Sequence, residues 1–162
     1  MSLMARRPQT ARALAPTGIH TAVCVDAQDL GLQTGAYGAK HKVRLVWQLD
    51  AVDPEAGRRV EVARVYTLSL SERAALRKDL ECWRGRKFTD AELDLGFDLE
   101  KVIGANCQVV VSHDLGDNGT LYANVDSVLP AVKGAPKLAP LAFTRLKDRA
   151  QGRTNGATAG AH

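Results

Sequence analysis

Residues 58–83 read RRVEVARVYTLSLSERAALRKDLECW, and along them the spacing of apolar residues changes from two to nearly four. Val60 and Val62 alternate with Arg59, Glu61 and Ala63, and Val65, Tyr66 and Thr67 follow, which predicts a β-strand over about 58–68. Beyond Ser71, a good helix N-cap, Leu76, Leu80 and Trp83 recur at four and three residues and form one apolar stripe. Gly85 stops that helix. The architecture then depends on how many strands flank it.

Two strands precede this stretch. Ile19, Thr21, Val23 and Val25 alternate with His20, Ala22, Cys24 and Asp26, the period of a strand beginning at Gly18. The run 31–38, with glycines at 31, 35 and 38, is expected to break it. In the second strand Val43, Leu45, Trp47 and Leu49 share one face, and Lys42, Arg44, Val46 and Gln48 the other. Asp53-Pro54-Glu55-Ala56-Gly57 is a turn leading into the third strand.

After the helix, Thr89-Asp90-Ala91-Glu92 matches a capping box, and Asp98 caps a further turn ended by Gly104. A fourth strand is expected over 106–113. Asp117-Asn118-Gly119 marks a hairpin, and a fifth strand runs over 120–129 to Pro130. The order is three strands, a helical insert, then two strands. That order predicts a mainly β fold, a five-stranded Greek-key OB-type barrel with a helical insert between strands 3 and 4. An immunoglobulin-type sandwich would need about seven strands and no helix at this point.

The charge divides the chain into three. Arg6, Arg7 and Arg12 face no acid within residues 1–17, which read as a flexible basic arm. Residues 131–162 carry Lys133, Lys137, Arg145, Lys147, Arg149 and Arg153 against Asp148, and read as a basic, largely disordered tail within which 138–146 has the composition to dock. The OB-fold domain between them, 18–130, is net acidic, so the overall charge of +4 comes from the ends. No apolar stretch is long enough for a membrane helix, and Cys24, Cys82 and Cys107 are too few and too scattered for a disulfide framework. The expected setting is a reducing cytoplasm.

Enzyme motifs are missing: there is no G-x-S-x-G, P-loop, H-E-x-x-H or C-x-x-C. His20, His41, His113 and His162 are far apart, so neither a metal nor another cofactor is expected. Glu72, Asp79 and Glu81 lie among Arg73, Arg77 and Lys78 and read as a solvated helix face.

Binding is the chemistry these residues suit. OB barrels hold single strands across strands two and three, using cations along the phosphates and rings against the bases. Lys40, Lys42 and Arg44 alternate, so they share a face opposite Trp47. Arg59 opens strand three beside them, Tyr37 sits in the preceding glycine-rich run, and Tyr122 faces outward on strand five. Arg64 and Tyr66 have the parity of Val60 and Val62. Either a bulge turns them to the basic face or Arg64 lies at the open rim, and both are counted with the site. Trp47 and Trp83 are expected in the core.

Several segments together resemble phage- and prophage-encoded single-stranded-DNA-binding proteins of the OB type. They are Gly18-Ile19-His20-Thr21-Ala22-Val23, Tyr37-Gly38, Arg64-Val65-Tyr66-Thr67, Leu76-Arg77-Lys78-Asp79-Leu80, Phe97-Asp98-Leu99-Glu100 with Ile103-Gly104, Cys107-Gln108-Val109 and Tyr122-Ala123-Asn124-Val125. The resemblance spans about 18–130. It implies a non-enzymatic protein that coats single-stranded DNA, or RNA, in replication or recombination in a bacterial host cell. Further copies of the same chain, in a homo-oligomer, and replication or recombination proteins are the other expected partners. The chain departs from many bacterial relatives of this kind in lacking an acidic tip, since it ends in Ala161-His162 after a basic stretch. The alternative is a protein-interaction or phage-structural module on the same barrel.

Overall fold

β1 (Gly18–Gly35) and β2 (Gly38–Asp53) form one long antiparallel hairpin joined by the two residues Ala36 and Tyr37. The computed structural model describes residues 14–55 and 57–149. The glycine run expected to break the first strand therefore lies within the ladder. Gly31 sits beside a bulge with φ of 68°, and Gly38 follows the turn with φ of 100°. Positive φ is what these two positions require of a residue without a Cβ.

β3 (Arg58–Thr67) pairs with β2, and β4 (Asn106–Leu115) pairs with β1 and with β5 (Leu121–Pro130). The result is a mainly β protein with one five-stranded antiparallel sheet in the order β3-β2-β1-β4-β5. Backbone pairing does not close it. The two edges nevertheless approach: Arg64 on β3 donates to the Asp126 carbonyl on β5 at 3.1 Å. Helix α1 (Ala75–Arg84) packs against both β3 and β5. Helix α2 (Asp90–Leu95) and a 3-10 turn (Leu99–Val102) come next in the chain, before β4. The capping box is present: Glu92 N–H donates to Thr89 Oγ1, and Thr89 N–H to the Glu92 carboxylate.

The concave side of the sheet holds the main core. Ala22, Cys24, Val43, Leu45, Trp47, Leu49, Val60, Val62, Val109, Val111 and Val125 meet Leu76, Leu80 and Trp83 of α1 there. Trp47 and Trp83 are both buried, with ring centroids 6.0 Å apart. Burial pushes the Cys24 thiol up to about 12, as an unreactive core thiol requires. Among the described residues, no helix is long and apolar enough to cross a membrane.

Two expectations are corrected here. Ser71 does not cap α1: the helix starts at Ala75 without a side-chain cap, because the Ser71 carbonyl instead closes a turn onto Ala74 N–H. Asp79 is not on a solvated face. It lies three residues after Leu76 on the apolar stripe and is 6% exposed. The stretch 138–146, whose composition suits docking, does lie along the convex side of the sheet, and a helical turn follows at 146–149. Residues 1–13 of the expected arm and 150–162 of the tail fall outside the described residues. At the arm's end Ala15 is buried, and its carbonyl accepts from His113 Nε2 at 2.6 Å.

Candidate nucleic-acid interface

The convex face of β1, β2 and β3 divides in two. Toward the hairpin tip it is polar and open; toward the other end it is covered by 138–149. Register explains both halves. A bulge at Val25, between the Cys24–Trp47 and Asp26–Val46 pairs, turns Asp26 outward, whereas Ala22 and Cys24 before it face the core. Asp26 is then in line with Val46, Arg44 and Gln28 on the convex side.

On the open half, Gln28 pairs with Arg44, Gly31 with Lys42 and Gln33 with Lys40. The strand period carries Lys40, Lys42 and Arg44 out on one face, opposite Val43, Leu45 and Trp47. Lys42 Nζ donates to Thr67 Oγ1 at 2.7 Å, and Arg44 Nη1 to Gln28 Oε1 at 3.3 Å. Among the described residues none of the three forms an ion pair with a carboxylate. Lys42 and Arg44 are thus held by neutral partners, Lys40 is exposed, and the three charges remain available to an anion. Tyr37 at the hairpin tip is 92% exposed, and Leu32 on the same ribbon is exposed as well.

On the covered half the chain is held by side-chain amides. Leu141 N–H donates to Gln48 Oε1 and Gln48 Nε2 to the Leu141 carbonyl, both at 2.9 Å. Asn106 treats Leu138 the same way, at 2.7 and 2.9 Å. Leu138 and Phe143 pack on Val23, Val25 and Val46, a second apolar cluster on the far side of the sheet from the core. Asp26 anchors the end of the segment, accepting from Leu146 N–H at 2.8 Å, Arg145 Nε at 3.0 Å and Gln28 Nε2 at 3.1 Å. Burial alone would raise the Asp26 carboxyl; the Leu146 amide, the Arg145 guanidinium and the Gln28 amide outweigh it and hold it below the usual carboxylate range. Arg145 also grips Glu100 through both terminal nitrogens, at 2.6 and 3.1 Å.

The structure separates the other expected site residues. Arg59 donates to the Ala139 carbonyl and so helps hold the covering segment. Tyr66 is buried and cannot stack a base from outside; its hydroxyl donates to Asp79 at 2.6 Å. Burial, and then the Asp79 charge, push that hydroxyl far above the usual tyrosine value. Arg64 also points inward, without a bulge, pairing with Asp79 at 2.9 Å and lying 5.0 Å from the Tyr66 ring centroid. The inward charge is tolerated because Asp79 compensates it. Tyr122 lies half-exposed on β5, its ring against Gly116, where a Cβ would sit 2.5 Å from the ring. It belongs to the β4–β5 hairpin and stands apart from the cations of β2.

One groove on the convex face was not expected. It has a volume of about 290 Å³ and is lined by Gln28, Arg44, Val46, Ala63, Phe143 and Arg149, with Glu61 and Val62 completing the wall. The Arg149 guanidinium lies 5.5 Å from the Phe143 ring centroid. Phe143 and Arg149 come from a stretch of chain with no strand period, so nothing local in the sequence pairs them with Arg44. No family model matches this chain, and no curated protein matches it.

Proposed function

We propose that this chain is a non-enzymatic single-stranded-DNA-binding protein built on an OB-type Greek-key barrel, of the kind phages and prophages encode for replication or recombination. The barrel reading is supported by the strand order, by the approach of β3 and β5, and by α1 packed on both edges. The observation that carries the function is the alternation of Lys40, Lys42 and Arg44 on the convex face of β2 without carboxylate partners among the described residues. A row of side chains two residues apart repeats about every 6.8 Å along a strand, which suits a phosphodiester backbone lying along it. Tyr37, at the tip of the hairpin, supplies a ring beside that row.

Anisotropy titration of a labelled oligo-dT at two salt concentrations tests the reading. Binding at low salt that weakens steeply as salt rises is expected. Equal or tighter binding of oligo-U would move the ligand to RNA. Absence of binding to either polymer at low salt would overturn the reading in favour of a protein-interaction module, for which exposed Leu32 and Tyr37 on the hairpin are the relevant surface. We also assign the protein a homo-oligomeric state, which sedimentation of the full chain would check.

A further inference from the structure

We propose that Phe143 and Arg149 complete a subsite for one unpaired base and its phosphate at the inner end of the Lys40–Arg44 row. The inference rests on the nucleic-acid reading above and extends it to residues outside the barrel strands. The segment that carries Phe143 is held in place by the Gln48 and Asn106 amides and by Asp26, so its ring is positioned by the fold. The ring is half-buried: part of it packs on Val23, Val25 and Val46, and part borders the groove.

The groove suits a single base in size and chemistry. At about 290 Å³ it is at the lower edge of small-ligand pockets, which run from about 300 Å³ upward. Val46, Ala63 and Phe143 form apolar walls, and Arg44 and Arg149 stand at its border. Arg149 is exposed and lies over the Phe143 ring. A base sliding onto that ring takes the place of the guanidinium, which turns to the adjoining phosphate. Glu61 also lines the groove and is engaged in a polar contact of its own, so the positive border is not uniform. A planar neutral ring against Phe143 is therefore favoured over a second anion inside the groove.

The test compares two probes on the full chain: oligo-dT and an abasic phosphodiester oligomer of the same length. Phe143→Leu keeps an apolar anchor on Val23 and Val46 but has no ring face. It should weaken oligo-dT binding about tenfold, within the range for loss of one stacked base, and leave abasic binding and both salt slopes unchanged. Arg149→Ala should instead lower the salt slope by about 0.7 on both probes. Phe143→Leu binding oligo-dT as tightly as the unaltered chain would overturn the inference and leave the proposed function standing. Failure of the unaltered chain to bind any single strand would overturn both. Should Phe143→Leu not fold, photocrosslinking of the unaltered chain to an iododeoxyuridine-substituted strand decides the matter. An adduct at Phe143 is expected, and adducts confined to other residues would contradict the inference.

Discussion

Gln48 and Leu141 exchange two hydrogen bonds, each 2.9 Å long, so a side chain of β2 holds a residue far along the chain much as a neighbouring strand would. Asn106 repeats the arrangement with Leu138. The segment after Pro130 is thereby tied into the fold over 138–146, and the open part of the convex face is confined to the half nearer the hairpin tip.

Removing residues 138–162 should destabilise the sheet. The cut uncovers Val23, Val25 and Val46 and strips Asp26 of Arg145 and the Leu146 amide. A fall in Tm of at least about 5 °C is expected, since about 1 kcal/mol moves Tm by about 2–4 °C at this size. Gln48→Ala alone should cost about 1–3 kcal/mol, the sum of two lost hydrogen bonds of about 0.5–1.5 kcal/mol each. An unchanged melting temperature for the truncated chain would show that the segment is not part of the fold.

Acid should loosen the same segment. The Asp26 carboxyl is held below its ordinary value, so across that window the unfolded chain binds more protons than the folded one. The stability it contributes is complete above the ordinary carboxylate range of about 4 and is lost as pH falls through the lower folded value. Asp26→Asn should lower stability at neutral pH and flatten its decline in acid, read by urea unfolding between pH 7 and pH 3. A decline as steep as in the unaltered chain would place the acid-sensitive group elsewhere.

Tyr66→Phe should separate core from interface. The Tyr66 hydroxyl bonds the buried Asp79, and a hydrogen bond to a charged group contributes about 1.5–3 kcal/mol. Loss of stability in that range is expected, with affinity for oligo-dT unchanged. Altered affinity in a folded variant would place Tyr66 in the binding site after all.

Much of the sheet was legible because its signals are local. Alternation marked the faces of β2 and β3, and the stripe Leu76, Leu80, Trp83 marked the buried side of α1. Glycine misled where it serves a bulge and a tight turn, so one continuous hairpin read as two strands and a loop. Asp79 misled for a different reason. Its neighbours in sequence are charged, while its partners Arg64 and Tyr66 lie on another element. The outward row Lys40, Lys42, Arg44 needed only the strand period. Phe143 could not be found in that way, since its place beside Arg44 depends on amide contacts between residues dozens of positions apart.

The most direct test of the account is the salt dependence of oligo-dT binding by the unaltered chain and by a variant with Lys40, Lys42 and Arg44 all changed to alanine. Each phosphate contact on a single strand contributes about 0.7 to the slope of log affinity against log salt, so the slope should shrink by about two. The melting temperature should fall only modestly, since Lys40 is exposed and the half-buried Lys42 and Arg44 each give up one hydrogen bond to a neutral partner, worth about 0.5–1.5 kcal/mol. A folded triple variant that binds oligo-dT with an unchanged salt slope would contradict the account and place the phosphate path on another surface.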